Sequence, residues 1–114
     1  MQQCLFCKIV RGEIPCSKVY EDEDILAFRD IHPQRPVHVL VIPKKHVVSL
    51  TDAEAADAEL LGRLCLACAE IAAQKGMADA GYRVITNKGE KAGQSVFHLH
   101  LHVLGGRRMA WPPG

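Results

Sequence analysis

Near the end of the chain, three histidines alternate with apolar residues. The run reads His98-Leu99-His100-Leu101-His102-Val103-Leu104. Side chains on a β-strand point alternately to opposite faces, so this run predicts a strand with one imidazole face and one apolar face. Imidazole titrates near neutral pH and can act as a nucleophile, a proton carrier or a metal ligand. The row therefore indicates either a metal site or a phosphate site in which neutral imidazoles do the chemistry. A packed core is the third alternative, although core histidines usually occur singly.

The size and charge of the chain limit the other possibilities. The chain has 114 residues, of which 48% are hydrophobic and 24% charged, and its formal net charge is +1. These values predict one globular domain over residues 1–114. The small net charge argues against bulk attraction to nucleic acid or to an anionic membrane. The first residues lack a basic region followed by a long apolar stretch, so we expect a cytoplasmic protein with reduced cysteines.

Hydrophobic periodicity and turn residues predict an α+β fold. Strands are predicted over residues 19–21, 25–28, 38–42, 82–86 and 96–104. One long helix is predicted over about residues 52–75, with a capping box from Thr51 to Glu54 at its start and Gly76 as its stop. A short N-terminal helix covers at most residues 5–11. Because the strand connections are mostly too short for crossovers, we expect an antiparallel five-stranded meander with the long helix on one face.

A polar, glycine-containing segment over residues 89–95 precedes the histidine row. Its glycines permit close backbone approach to a ligand, and Gln94 and Ser95 offer side-chain donors. Most segments of this composition are plain turns. Next to three imidazoles, the segment becomes a candidate cradle for phosphoryl oxygens.

Two Cys-x-x-Cys pairs admit several interpretations. Cys4 and Cys7 could be a redox pair, half of a zinc site, or core residues, and a redox role would need a preceding strand in a βαβ setting that is not predicted. Cys65 and Cys68 fall inside the long helix, where packing in the core is favoured. A four-cysteine zinc site formed by both pairs is the rival interpretation.

The histidine row resembles the signature of the histidine triad (HIT) superfamily, His-φ-His-φ-His-φ-φ, where φ is apolar. The resemblance extends over nearly the whole chain, through residues 6–10, 13–15, 27–31, 38–46, 93–98 and 105–107. The ending Trp111-Pro112-Pro113-Gly114 is similar to that of the Hint branch, the histidine triad nucleotide-binding proteins. The resemblance implies the HIT fold, a homodimer, and a nucleotide-binding hydrolase.

The resemblance also implies roles for individual residues. His100 matches the nucleophile that attacks the α-phosphorus and forms a covalent nucleotidyl-histidine, and His102 matches the residue that contacts the phosphate and supports the departing group. His38 and His98 match supporting members of the cluster. The implied nucleotide contacts are Asp30 to the ribose hydroxyls, Ile31, Phe28 and Ile9 around the base, and Asn87, Gly93, Gln94 and Ser95 to ribose and phosphate.

The implied substrates are purine nucleoside 5′-phosphoramidates and aminoacyl or lysyl adenylates, with AMP or GMP as product. Because two successive displacements at phosphorus need no divalent ion, no catalytic metal is expected. Two alternatives remain open at this stage. One is the cleavage of dinucleoside polyphosphates, and the other is a non-catalytic protein that binds nucleotide or zinc.

A structural zinc site is implied as well, because some bacterial HIT proteins with a Cys-x-x-Cys at this position bind zinc. Carried over to this chain, the ligands are Cys4, Cys7, His46 and His98. Two thiolates and two imidazoles form a closed tetrahedral set, which is typical of structural and not of catalytic zinc. A zinc-bound His98 would not be free to serve at the phosphate.

Overall fold

The computed structural model describes residues 4–114 and shows an α+β fold. In chain order the helices and strands are α1 (Leu5–Val10), β1 (Lys18–Glu21), β2 (Ile25–Arg29), β3 (Val37–Pro43), α2 (Ala58–Gln74), β4 (Tyr82–Ile85) and β5 (Leu101–Gly105). The predicted pair of one long and one short helix is confirmed. Neither described helix is long and apolar enough to cross a membrane.

The five strands form one antiparallel sheet in the order β1-β2-β3-β5-β4. The first three strands follow the chain, as a meander does, and β5 then pairs with β3 and leaves β4 at the edge. In this register Leu40 lies opposite His102. Because residues two apart on a strand share a face, His38 lies on the same face as His102.

Each face of the sheet has its own apolar core. Helix α2 covers the first face, where Leu99, Leu101 and Val103 pack with Leu64 and Ile71. The prediction that the apolar residues of the histidine row lie under the long helix is therefore confirmed. The second face carries a smaller cluster, composed of Phe6, Leu26, Phe28, Leu40 and Ile42. The histidines lie on this second, less covered face.

Helix α2 begins later than predicted, and the capping box from Thr51 to Glu54 is wrong. Two turns of 3-10 helix, Leu50–Asp52 and Ala55–Asp57, precede α2. The buried carboxylate of Asp57 accepts from the backbone N–H of Glu54 at 2.9 Å and from Nζ of Lys45 at 2.6 Å. These two hydrogen bonds hold Asp57 in the 3-10 turn that precedes α2.

The predicted end of the long helix is confirmed. Gly76 has a φ of +75°, which favours glycine. The N–H of Met77 donates to the carbonyl oxygen of Ala72 at 2.8 Å, as in a Schellman motif. The turn places Met77 in the core beside α2.

Strand β5 begins at Leu101, so the predicted strand over residues 96–104 is wrong in its first half. Its neighbour β3 ends at Pro43, which has no N–H to extend the ladder. The N–H of Leu99 donates instead to the carbonyl oxygen of Val47, at 2.6 Å. His98 and His100 therefore lie on irregular backbone, although Leu99 between them still packs on the first face with Leu101 and Val103.

Candidate active site and metal-binding cluster

A cavity of about 290 Å³ opens on the second face of the sheet. Seven of the residues expected at a nucleotide or phosphate line it, namely Ile9, Phe28, Asp30, Ile31, Ser95, His100 and His102. Sequence reasoning missed other lining residues, including Leu5, Phe6, Ile14, Cys16 and Leu40. In the sequence, only their apolar character indicated a cavity wall, and residues of a hydrophobic core have the same character.

Three other expected contacts, Asn87, Gly93 and Gln94, do not line the cavity. The buried amide of Gln94 is committed to the loop, because its Oε1 accepts from the N–H of Gly89 at 2.8 Å. Its Nε2 donates to the carbonyl oxygens of Val48 at 2.7 Å and Val96 at 3.2 Å. The amide of Gln94 therefore braces the loop, and the contact expected between Gln94 and phosphate stays a prediction.

His100 is fixed at one ring nitrogen. Its Nδ1 lies 2.7 Å from the carbonyl oxygen of His98. Because a carbonyl oxygen only accepts, Nδ1 carries the proton and Nε2 of the neutral ring keeps its lone pair. Burial lowers the pKa of His100 below its ordinary 6.5, so the ring is neutral at pH 7. A neutral imidazole with a free nitrogen is the form that a nucleophile requires.

His38 and His102 form a directed pair. The backbone N–H of Gln34 donates to Nδ1 of His38 at 3.0 Å, which places the proton of the neutral His38 ring on Nε2. That Nε2 lies 2.9 Å from Nδ1 of His102 and 3.3 Å from a carboxylate oxygen of Asp30. Since His38 donates to Nδ1 of His102, the proton of His102 is on its Nε2. Nε2 of His100 thus carries a lone pair, whereas Nε2 of His102 carries a proton.

The surroundings keep this pair uncharged at neutral pH. Burial, helped by the neighbouring His100 and His38 rings, lowers the pKa of His102 to about 4. Burial also lowers the pKa of His38, and the Asp30 carboxylate acts in the opposite direction. The tautomers derived above are therefore the neutral ones that hold at pH 7.

Asp30, His38 and His102 lie close enough together to be considered as metal ligands. The hydrogen bond from Gln34 argues against that role, because it leaves His38 with an N–H and not a lone pair on the side of its neighbours. The three side chains are better described as a hydrogen-bonded relay that orients His102.

The second cluster contains Cys4, Cys7, His46 and His98, whose candidate ligand atoms lie within 4.8 Å of one another. We call it the four-residue cluster. The N–H at Nε2 of His98 donates to the carbonyl oxygen of Pro43 at 2.8 Å, so Nδ1 keeps its lone pair. That Nδ1 lies 3.4 Å from Sγ of Cys4 and 3.6 Å from Sγ of Cys7. The ring of His98 thus belongs to this cluster and does not line the cavity.

The four-residue cluster fits a tetrahedral zinc ion. Zinc bonds of about 2.3 Å to sulfur and about 2.0 Å to nitrogen place the ligand atoms of a tetrahedron roughly 3.5 Å apart. The contacts from Cys7 Sγ to Nδ1 of His46, at 3.2 Å, and to Nδ1 of His98, at 3.6 Å, have this spacing. The bond from His98 to Pro43 also matches the backbone partner that metal-bound histidines usually have.

The second cysteine pair does not join this cluster. Cys68 is buried against the sheet, and burial raises the pKa of its thiol to about 12. Cys65 is exposed, so the expectation that both thiols pack in the core is wrong for Cys65. The two residues are three positions apart, which is about 60° around the helix, so Cys68 lies on the buried face of α2 and Cys65 lies outside it.

Comparisons with known proteins agree with this architecture. A HIT domain model matches residues 11–109. The crystal structure of a HIT family hydrolase from Legionella pneumophila Philadelphia 1 is 51% identical, with a TM-score of 0.97 over 98% of this chain and 100% of that chain. A 14 kDa zinc-binding protein from Zea mays is 51% identical over 96% of this chain and 87% of its own length. The crystal structure of a histidine triad nucleotide-binding protein from Candida albicans is 31% identical, with a TM-score of 0.84 over 96% of this chain and 83% of that one.

The family match covers most of the chain, and the relatives span nearly all of it. The chain therefore belongs to the HIT family. The predicted HIT fold, with its five-stranded antiparallel sheet, is confirmed.

Proposed function

We propose that this protein is a nucleotide-binding hydrolase that cleaves the P–N bond of purine nucleoside 5′-phosphoramidates, including aminoacyl and lysyl adenylates, and releases AMP or GMP. The observation that carries the proposal is the opposed tautomers of two neighbouring imidazoles on one cavity wall. His100 has a free Nε2, and His102 has a proton there. The hydrolase from Legionella and the nucleotide-binding protein from Candida support the same class.

The cavity has the distribution of groups that a nucleoside monophosphate requires. Ile9, Phe28 and the exposed Ile31 provide apolar surface for a purine. Asp30 provides a carboxylate for the ribose hydroxyls, and Ser95, which lines the same cavity as the two imidazoles, provides a donor to phosphoryl oxygens. We infer that the α-phosphorus then lies between His100 and His102.

The reaction follows as two displacements at phosphorus. In the first, the lone pair on Nε2 of His100 attacks phosphorus, the P–N bond breaks with its electron pair going to nitrogen, and the amine leaves after taking up one proton from solvent. His102 donates a hydrogen bond from Nε2 to the departing group. In the second, water attacks the nucleotidyl-histidine, the bond to Nε2 breaks, and one proton is released. The mononucleotide leaves, and His100 regains its lone pair.

The direct test is the turnover of an adenosine 5′-phosphoramidate, followed by AMP release. We expect the wild type to be active and His100→Gly to be inactive, with turnover reduced by at least about 10³-fold because the nucleophile is gone. Cys65→Ser, whose exposed thiol is outside the cavity lining, is the control and should keep its activity. A wild type that prefers diadenosine polyphosphate would contradict the substrate class, and an inactive wild type would favour a non-catalytic binding protein.

We also propose that Cys4, Cys7, His46 and His98 hold a structural zinc ion. The spacing of their ligand atoms supports it, as does the name of the maize relative. Burial raises the pKa of the Cys7 thiol, and a bound cation would reverse that effect by stabilising the thiolate. A zinc-thiolate site is consistent with a cytoplasmic location, which we propose as well.

We propose that the protein is a homodimer formed at the β4 edge of the sheet. Within the described residues, β4 pairs on one side only, with β5. The exposed side chains of Val84 and Tyr82 lie on this strand, and the guanidinium carbon of Arg83 lies 5.9 Å from the centroid of the exposed Trp111 ring. An unpaired, partly apolar edge is a surface that a second copy can cover. Comparing the sedimentation of the wild type with that of Val84→Lys tests this dimer interface.

A further inference from the structure

His98 connects the four-residue cluster to the proposed nucleophile. Its ring meets the thiols of Cys4 and Cys7 through Nδ1. Its backbone carbonyl oxygen accepts the hydrogen bond from His100 that leaves Nε2 of that ring unprotonated. A single fully buried residue therefore takes part in both arrangements.

Helix α1 makes a second connection. It has six residues, too few to be stable without tertiary contacts, and Cys4 and Cys7 lie at its cap and in its first turn. Leu5, Phe6 and Ile9 of this segment line the cavity. The Phe6 ring also packs edge-on against His100, with 5.1 Å between the ring centroids.

We propose that the four-residue cluster positions His100 and the α1 wall of the cavity, so that metal binding and nucleotide binding strengthen each other. This inference rests on the proposed hydrolase function and assigns its metal site a role beyond holding the fold. Cys4, Cys7 and His46 are then positioning residues, because they lie outside the cavity lining and act through His98 and α1. Coupling between two sites is reciprocal, so each ligand changes the affinity of the other by the same factor.

The test measures that reciprocity with zinc and AMP as the probes. The dissociation constant of AMP is measured by calorimetry for zinc-loaded and chelator-stripped wild type. The zinc affinity is measured by competition with a chromogenic chelator, with and without saturating AMP. We expect both constants to improve by the same factor, about tenfold, when the other ligand is present. Cys4→Ser should bind AMP as the stripped wild type does, and Cys65→Ser, with its exposed thiol outside the cluster, should match the loaded protein.

A readout independent of nucleotide is the ring N–H of His100, followed by ¹⁵N-resolved NMR. We expect its Nδ1–H signal in the zinc-loaded protein and its loss or broadening in the stripped protein and in Cys4→Ser, while the far-UV circular dichroism is unchanged. If zinc removal leaves both this signal and the AMP affinity unchanged, the inference is wrong. Global unfolding on zinc removal would also overturn it, because the metal would then support the whole fold.

The same measurements distinguish a failure of the proposed hydrolase function from a failure of the coupling between zinc and AMP. If the zinc-loaded protein does not bind AMP but its His100 signal depends on zinc, the hydrolase proposal fails while the positioning of His100 by the cluster holds. If AMP binds equally well with and without zinc and the signal is constant, the hydrolase proposal survives and the coupling does not.

Discussion

Nε2 of His38 lies 2.9 Å from Nδ1 of His102 and donates a hydrogen bond to that nitrogen. The direction of this bond is set further back in the chain, by the backbone N–H of Gln34. The proline-rich loop before β3 thus determines which nitrogen of His102 has a hydrogen to offer a leaving group. Side-chain identity alone would leave both tautomers of His102 available.

Replacing His38 should impair catalysis more than substrate binding. In His38→Phe, His102 loses the donor that fixes its tautomer, so we expect kcat to fall about 10²-fold while KM changes little. Steady-state kinetics with an adenosine 5′-phosphoramidate provide the measurement, and Cys65→Ser, outside the cavity, is the control. A variant in which KM alone rises would assign His38 to substrate binding instead.

Asp30→Asn should weaken the contact with ribose. The carboxylate accepts from the N–H of His32 at 2.8 Å, which leaves its other oxygen for ribose hydroxyls and for His38. A lost hydrogen bond to a charged group corresponds to a fall in kcat/KM of about 10- to 100-fold on a ribose substrate. On the 2′,3′-dideoxy analogue the same substitution should have little effect. Equal losses on both substrates would show that Asp30 acts through His38 and not through ribose.

The protein should lose stability in mild acid. The pKa of His102 is about 4 in the folded chain, against 6.5 for the free ring, mainly because of burial, with His100 and His38 adding to the shift and Asp30 opposing it. Between these two values the unfolded chain binds a proton that the folded chain does not, so stability is complete above pH 6.5 and falls as the pH decreases. This ring alone contributes a slope of about 1.4 kcal/mol per pH unit.

Urea unfolding of zinc-loaded protein between pH 7.5 and about 5 measures that slope. His102→Asn, which has no titrating ring, should show a shallower dependence on pH than the wild type. Identical slopes for the two proteins would mean that the His102 ring titrates normally in the folded chain.

The purified protein should contain about one zinc per chain. We expect Cys4→Ser and Cys7→Ser to lose it, because each removes one of four ligands, and Cys65→Ser to keep it. Elemental analysis together with protein concentration gives the ratio. Protein that stays free of zinc after incubation with the ion would exclude the site.

The alternation of the histidine row predicted much of the fold. Leu99, Leu101 and Val103 do pack beneath the long helix, because a strand pattern that is apolar on one side specifies which face is buried. The start of β5 could not be predicted in this way, since it depends on Pro43 in a neighbouring strand. That residues 1–114 form a single domain stays a prediction.

The candidate site was predicted in its residue types but not in its hydrogen bonds. Gln94 looks like a phosphate donor in the sequence, and the fold commits its amide to three backbone groups. His98 looks like a third member of one row, but its ring faces Cys4 and Cys7, a contact that the family resemblance implied and the local alternation did not. Both outcomes depend on contacts between distant segments, which local patterns do not contain.

The most direct measurement is to mix the protein with an adenosine 5′-phosphoramidate, quench it within one turnover, and map the adduct by mass spectrometry under conditions that preserve P–N bonds. We predict that an adenylyl group is attached to the peptide that contains His100, and that His100→Gly, with the rest of the row intact, carries none. An adduct on another residue, or AMP release at full rate with no adduct at any time, would contradict a covalent nucleotidyl-His100.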